Sequence, residues 1–145
     1  MKKLLMAAIV VATFVTSAFA EPTKINYLAL KNFTAEFKKA SDVSWSSTTE
    51  FVKVSFVWDS ERMEAFYNTA GEKIGTSRAV SIDELPLKAK RAFAKKYDTY
   101  TVKESILFEG ADESAYFIKA ENDTESVIVK VLDNGFVSVY RRSRK

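Results

Sequence analysis

The sequence carries the same pattern twice: a stretch with the apolar spacing of a helix, then several stretches in which apolar and polar residues alternate. Helical spacing buries one side of a helix and alternation buries one face of a strand, so each helix needs a sheet to pack on. Short turns between the alternating stretches join neighbouring strands into antiparallel hairpins. The pattern predicts an α+β protein, a tandem repeat in which each unit is a helix followed by an antiparallel β-meander.

The first unit is predicted over residues 21–80. Within residues 24–40, Leu30, Phe33 and Phe37 recur at spacings of three and four, which is the pattern of an amphipathic helix. Alternation then predicts strands over about residues 51–58, 62–67 and 74–80. Gly71 precedes the third of them, at a turn that needs the positive φ glycine adopts without strain.

The second unit is predicted over residues 81–145. Ser81 and Glu84 have the spacing of a capping box, but Pro86 is tolerated only in the first turn of a helix. Asp83 is therefore the predicted N-cap of a helix that runs to about residue 96. The pattern after this helix predicts four strands. The predicted total is therefore two helices and seven to eight strands. These four strands cover about residues 100–108, 114–120, 126–132 and 136–141.

The two units align with each other in part. Residues 37–42 match residues 93–98 at an offset of 56, whereas the turn at Gly71 matches the turn at Gly135 at an offset of 64. The second unit is therefore expected to hold about eight extra residues, near residues 109–113.

Residues 1–20 have the composition of a signal peptide. Two lysines precede an apolar run from Leu4 to Val15, and Ala18 and Ala20 supply the small residues of a cleavage site. Cleavage is expected between Ala20 and Glu21, which leaves one compact mature domain over residues 21–145, periplasmic or secreted. No later stretch has the roughly 20 apolar residues of a membrane helix, so no transmembrane segment is expected in the mature chain.

The absence of two residue types removes much catalytic and metal-binding chemistry. The 145 residues include no Cys and no His, so Ser–His and Cys–His nucleophile pairs and thiolate or imidazole zinc sites cannot form. Glu61 with Glu64, or Asp112 with Glu113, could pair as carboxylates, but both pairs lie in polar turns or at strand edges, where ordinary ionisation is expected. Residues 121–123 and 133–135 lack a full calcium-loop pattern. The protein is therefore expected to be no enzyme and to carry no cofactor or metal.

Charge argues against nucleic acid as a partner. Lys and Arg number 22 against 19 Asp and Glu, and two of the basic residues lie in the predicted signal peptide. A nucleic-acid binder needs a clustered basic excess to displace phosphate counterions. Only the tail at residues 141–145 is clustered in this way, and it is expected to be a solvated, frayed end.

Four stretches of the mature chain resemble the exported family called PepSY-like, or beta-lactamase-inhibitor-like. They are Phe37 with Asp42–Trp45, Glu64–Glu72, Asp83–Pro86 and Lys95–Tyr97. Members of that family are small periplasmic or secreted proteins built from tandem helix-plus-sheet units. Their named relative in shape inhibits a beta-lactamase by gripping one of its loops with an aromatic-rich concave sheet. The resemblance implies a non-catalytic binding domain; it does not imply that beta-lactamase is the target.

The sheet surface is the candidate functional site. If the alternating residues Val52, Val54 and Phe56 face a helix, the opposite face carries aromatic and lysine side chains where an uncovered face normally carries polar ones. Rigid aromatic anchors supply much of the energy of protein interfaces. The predicted partner-binding residues are Phe51, Lys53, Phe66, Phe117, Lys119, Lys130 and Tyr140.

Two functions are compatible with such a face. The first is a monomeric or weakly dimeric module of the cell envelope that recognises a protein or peptide partner, including as an enzyme inhibitor. The alternative is a structural or envelope-stress protein whose sheet binds a small apolar ligand or a second copy of itself. An equal interpretation of the aromatic residues is that the other unit or a homodimer covers them.

Overall fold

The structure, a computed structural model, describes residue 9 and residues 25–145. The chain divides into two compact units, Met1–Arg78 and Ala79–Lys145. In the described part of each unit, an α-helix is followed by a meander of four antiparallel strands. The α+β class is therefore confirmed, with two α-helices and eight strands over residues 25–145.

The first unit contains one helix and a sheet in which each strand pairs with the next along the chain. Its elements are α1 (Tyr27–Glu36), β1 (Ser41–Ser47), β2 (Phe51–Trp58), β3 (Glu61–Asn68) and β4 (Lys73–Ala79).

Helix α1 begins where Asn26 caps it. The side-chain oxygen of Asn26 accepts hydrogen bonds from the backbone N–H groups of Leu28, at 2.8 Å, and Ala29, at 3.2 Å. Its side-chain amide donates to the carbonyl of Thr69 at 2.8 Å, in the turn between β3 and β4. A single side chain therefore satisfies the first orphan N–H groups of the helix and ties the helix start to the sheet.

The core of the first unit lies between α1 and one face of its sheet. Ala29, Phe33 and Phe37 are buried and, at intervals of four residues, lie on one side of the helix and its C-cap. The prediction that Leu30 belongs to this side is wrong: Leu30 is 40 % exposed, and Ala29 continues the four-residue spacing instead. The sheet contributes Val52, Val54, Phe56, Ala65 and Tyr67.

The second unit repeats this order of elements. A short 3₁₀-helix, Ile82–Glu84, precedes the α-helix, and the strands again pair in sequence order. Its elements are α2 (Leu87–Tyr97), β5 (Thr101–Gly110), β6 (Ser114–Glu121), β7 (Glu125–Val131) and β8 (Val137–Arg144). Its core joins Leu85, Ala89, Phe93 and Tyr97 to Ile118, Ala120, Val127, Val129 and Val131.

The start of α2 differs from the prediction. Asp83 is not its N-cap, because α2 begins at Leu87 with Pro86 in the capping position. The capping box at Ser81 and Glu84 does form, but it caps the 3₁₀-helix. The Ser81 hydroxyl accepts from the backbone N–H of Asp83 at 3.2 Å, and the Glu84 carboxylate accepts from that of Ser81 at 2.6 Å. Pro86 separates the two helices because its ring disfavours helical geometry at the residue before it.

Three further boundaries depart from the sequence interpretation. Strand β1 was not predicted, because Ser41–Ser47 holds only two large apolar residues. Its pairing with β2 orders it as a strand. Helix α1 stops at Glu36, since Phe37 leaves helical geometry with φ −112° and ψ 63°. The basic tail is no frayed end: β8 runs to Arg144 and pairs with β7 throughout. Arg142 also pairs with Glu125 at 3.2 Å.

The buried residues relate the two units at offsets other than those predicted. The helices match at an offset of 60, with Phe33 against Phe93, and the later strands match at 64, with Ala65 against Val129. The predicted helix match at 56 is wrong by one turn, an error that helical periodicity hides because four residues return to the same side. The second unit therefore holds four extra residues before β6, not about eight.

Candidate binding surface

Strand register places six of the seven predicted partner-binding residues on the sheet faces opposite the helices, called the far faces below, and a ring contact places the seventh, Tyr140. In the first unit, Val52 and Val54 belong to the helix-side core, so Phe51 and Lys53 project to the far face, and Lys53 is the register partner of Phe66. In the second unit, Phe117 pairs with Lys130 and Lys119 with Ile128. Tyr140 reaches this face and contacts the Phe117 ring at 5.2 Å between centroids.

The far face of the first unit combines two aromatic rings with one ion pair. Phe51 and Phe66 meet edge to face at 5.8 Å between ring centroids. The Lys53 ammonium lies 3.0 Å from the Glu64 carboxylate, and these side chains are 11 % and 21 % exposed. Ser77, the register partner of Glu64 in β4, is buried and its hydroxyl has no hydrogen-bond partner among the described residues.

The far face of the second unit has the same chemistry in another arrangement. Phe117 is buried, and Tyr140 stacks against it edge to face. The Tyr140 hydroxyl is buried with no hydrogen-bond partner among the described residues. Burial, together with the nearby Glu113 carboxylate, raises the pKa of the Tyr140 phenol above its ordinary value. Lys130 pairs with Glu113, whereas Lys119 forms no ion pair with the residues that the structure describes.

The burial of these residues corrects one expectation. An outward-facing aromatic surface was expected, but Phe51 is 1 % exposed and Phe66 and Phe117 are 0 % exposed. The three lysines and Tyr140 keep part of their surface in solvent. In the full-length chain these far faces are therefore covered at their aromatic centres and open at their cationic margins.

The far face of the second unit also contains apolar residues that were not predicted to belong to it. Ile106 is the register partner of Phe117, and Phe108 is that of Ala115; both are buried. The predicted partner-binding residues do not include them, because the bounds of a strand do not say which of its residues share a face. The signal was available, since Ile106 and Phe108 are two residues apart, as neighbours on one face must be.

The carboxylates considered for catalysis do not form a shared acid–base pair. Glu64 is held by Lys53 and Glu113 by Lys130, while Glu61 and Asp112 are exposed. Among residues 9 and 25–145, no group of three or more acidic, Cys or His side chains is arranged to hold a metal ion. In the same described part of the chain, no helix has the length and apolar character needed to cross a membrane.

Comparison with known proteins finds similar solved structures. No protein-family model matches the chain, and no curated protein matches it. A BLIP-like protein from Bacteroides fragilis superposes with a TM-score of 0.73 at 13% identity, over 85% of this chain and 88% of that one. A DUF2874 family protein from Bacteroides ovatus gives a TM-score of 0.74 at 18% identity, over 85% of this chain and 89% of that one.

The fold is that of the BLIP-like proteins. A third structure with this fold, from Bacteroides eggerthii, is provisionally described as a periplasmic protein; it has a TM-score of 0.73 at 13% identity, over 83% of this chain and 89% of that one. The expected likeness to beta-lactamase-inhibitor-like proteins is therefore confirmed at the level of fold. Sequence identities of 13–18% establish a shared fold and do not establish a shared function.

Proposed function

We propose that the protein is an exported, non-catalytic binding module that recognises a protein or peptide partner of the cell envelope through its far faces, including as an enzyme inhibitor. The observation that carries the proposal is the chemistry of those faces: in each unit, aromatic rings stand beside lysines on the side of the sheet that the helix leaves free. Export follows from the leader, residues 1–20, with cleavage between Ala20 and Glu21.

The second far face supplies the sharper argument. Lys119 keeps an uncompensated charge, and the Tyr140 hydroxyl is a buried polar group without a partner in the described chain. An unpaired buried hydroxyl costs about 1 to 3 kcal/mol, so a partner that supplies a hydrogen-bond acceptor there gains the energy that the free protein forgoes. The Tyr140 ring, which keeps part of its surface in solvent and packs on the buried Phe117, provides the aromatic anchor beside them. Aromatic and cationic anchors of this kind dominate the energy of protein interfaces.

The test is capture of envelope proteins by the immobilised, signal-cleaved protein, with mass spectrometry of what is retained. Lys119→Glu and Tyr140→Ser should each lower capture of the partner by at least about tenfold, the effect of losing an interface anchor. Phe136→Ser is the matched control, because Phe136 lies in the same unit and is 62 % exposed in the turn before β8. Lys119→Glu is the decisive variant, since its side chain is partly exposed and its fold is checked by circular dichroism. Unchanged capture by a folded Lys119→Glu would show that this face is not the binding site.

The rival function is a structural or envelope-stress protein whose sheet binds a small apolar ligand or a second copy of the chain, through the lysines and Tyr140 that keep part of the far faces in solvent. Sedimentation velocity at two widely separated concentrations distinguishes the two. The binding module sediments as a monomer, or as a dimer that dissociates on dilution. A dimer that persists at nanomolar concentration would replace the proposed function with the structural one.

A further inference from the structure

The solvent side of helix α2 carries uncompensated positive charge. The eleven residues of the helix include five basic side chains and no acidic one. Lys90 is compensated by Asp83 at 2.6 Å. Lys88, Arg91 and Lys95 are exposed and form no ion pair with the residues that the structure describes. These three side chains are called the α2 basic face below.

Helical geometry gathers this charge on one side. Lys88, Arg91 and Lys95 follow one another at intervals of three and four residues, which makes them neighbours on a helix surface. The core residues Ala89 and Phe93 lie on the side that packs against the sheet. Along the chain the three cations are separated by other residues, so their clustering is a property of the folded helix.

The first unit shows that the fold does not require these cations. The helices match at an offset of 60. At the positions of α1 that correspond to the α2 basic face lie Leu28, Lys31 and Ala35. Helix α1 therefore packs on its sheet with one basic residue where α2 has three, and the role of the additional charge lies in what α2 meets in solvent.

Two exposed apolar side chains stand at the start of the same helix. Leu87 is 60 % exposed and Phe136 is 62 % exposed. The turn before Phe136 lies against the first turn of α2, since a Cβ atom on Gly135 would be 3.3 Å from the Lys88 carbonyl oxygen. A single exposed leucine is ordinary, whereas two large apolar groups beside unpaired cations form a surface with both apolar and ionic character.

We propose that the α2 basic face docks the protein on the anionic headgroups of a lipid bilayer, with Leu87 and Phe136 entering the interface between the headgroups. Each Lys or Arg near an anionic bilayer strengthens binding by about a factor of five. Apolar side chains that enter the headgroup region add to this attraction.

A bilayer fits these residues better than two other anionic partners do. Lysine is depleted in protein–protein interfaces, which argues against an acidic protein. Contacts to a nucleic-acid backbone are made by charged and hydrogen-bonding groups, which would leave Leu87 and Phe136 without a role. A bilayer interface accepts cations and apolar side chains together.

Docking through α2 leaves the proposed partner-binding surface of the same unit accessible. Helix α2 packs on one face of its sheet, and Phe117 and Lys130 lie on the other. The far face of this unit is therefore turned away from the lipid when α2 rests on it. The docking does not depend on the proposed function, because the experiments below use lipid vesicles and no protein partner.

Cosedimentation with vesicles tests the proposal on the protein in the form that cells export, purified from an expressing bacterium. The unsubstituted protein should bind vesicles of phosphatidylglycerol and phosphatidylcholine in equal parts, and should bind phosphatidylcholine alone at least about tenfold more weakly. Combining Lys88→Gln, Arg91→Gln and Lys95→Gln should weaken binding to the anionic vesicles about a hundredfold, which is three factors of about five.

The matched control removes the same amount of charge from exposed lysines of the first unit, by Lys31→Gln, Lys38→Gln and Lys39→Gln. It should change binding far less. Circular dichroism checks the fold of each variant, and any part of the leader that is retained is common to all of them. Equal losses in the two triple variants would assign binding to net charge and overturn the proposal.

A second pair of substitutions tests the apolar contribution. Leu87→Ser with Phe136→Ser should weaken vesicle binding at least about tenfold at low and at high salt, because burial of apolar area is not screened by ions. Both side chains are exposed, so these changes leave the core intact. Unchanged binding would mean that α2 attracts polyanions in general, such as an acidic protein or nucleic acid, and would overturn the proposal.

Three other results would also contradict bilayer docking. They are equal binding to anionic and to phosphatidylcholine vesicles, unchanged binding by the folded triple variant of α2, and displacement by soluble glycerol phosphate at the phosphate concentration of the vesicles. The last result would assign the α2 basic face to a free phosphate group and not to a lipid surface.

Discussion

At the scale of single residues, two glycines fix where each helix rests on its sheet. Gly71 and Gly135 have φ of +86° and +93°, a region in which other residues are strained. A Cβ atom on Gly71 would lie 2.4 Å from the Cβ of Leu28 and 2.8 Å from the backbone nitrogen of Ala29. On Gly135 its nearest neighbour would be the Lys88 carbonyl oxygen at 3.3 Å. Both turns need glycine for its backbone, and Gly71 also needs it for space.

Alanine at the two positions should therefore have unequal effects. Gly135→Ala should lower the free energy of unfolding by about 1 to 2 kcal/mol, the cost of a side chain at positive φ. Gly71→Ala should lower it by at least about 3 kcal/mol, because the start of α1 must also move away from the turn. Urea denaturation of both variants measures the difference. Equal losses would mean that α1 shifts away from Gly71 without cost.

At the scale of elements, alternation was the most informative signal. The strand residues predicted to face a helix, Val52, Val54 and Phe56, all lie in the core of the first unit. Period-two patterns survive tertiary packing because a slip of one residue would turn every side chain to the wrong face. Strand β1 and the last part of β8 escaped prediction because Ser41–Ser47 and residues 141–144 are polar, and pairing with a neighbour is what orders them.

The candidate site was predictable in its membership but not in its environment. Register follows from alternation, so six of the seven far-face residues could be placed from sequence, whereas Tyr140 lies at a register shift between β7 and β8. The burial of these residues could not be predicted, because it depends on what covers the sheet. Alternation of apolar and polar residues does not distinguish a covered face from an exposed one. The ion pairs Lys53–Glu64 and Lys130–Glu113 also join positions that only the folded strands bring together.

The cap of α1 offers a test at this scale, because Asn26 acts on two elements at once. Asn26→Ala removes the acceptor for Leu28 and Ala29 and the donor to Thr69, and it should lower the free energy of unfolding by about 1 to 2 kcal/mol. Asn26→Asp keeps the acceptor and loses only the bond to Thr69, so it should cost less than half of that loss. Thermal or urea unfolding ranks the three proteins. If Asn26→Asp costs as much as Asn26→Ala, the bond to the turn matters more than the cap.

At the scale of the whole molecule, the absence of His sets the pH range of stability. Among the described residues, pKa shifts occur in groups that titrate at the extremes of pH. Lys90 lowers the pKa of Asp83, and Lys145 with Lys103 lowers that of Glu121. Stabilisation from these pairs is present above the ordinary carboxyl range and is lost as pH falls through it. Burial, with a smaller effect of Glu36, raises the pKa of Tyr67, and burial with Glu113 raises that of Tyr140.

Stability should therefore be level from about pH 5 to pH 9 and fall on both sides. Above about pH 10 the unfolded chain loses phenol protons that the folded chain retains, which costs up to about 1.4 kcal/mol per pH unit for each fully buried tyrosine. Tyr67→Phe should reduce this alkaline loss. At neutral pH it should leave stability unchanged or slightly higher, because the Tyr67 hydroxyl has no hydrogen-bond partner in the described residues. Urea midpoints from pH 3 to pH 11 provide the measurement. If the midpoint of Tyr67→Phe falls above pH 10 as steeply as that of the unsubstituted protein, the prediction is wrong.

Strand β8, whose last residues were expected to be frayed, affects how the protein meets other copies of itself. It is the last strand in the order of its meander, and it carries Arg141, Arg142 and Arg144 along its length. A margin this rich in guanidinium groups should repel an identical margin on a neighbouring molecule, since charged side chains on an edge strand disfavour edge-to-edge pairing of sheets.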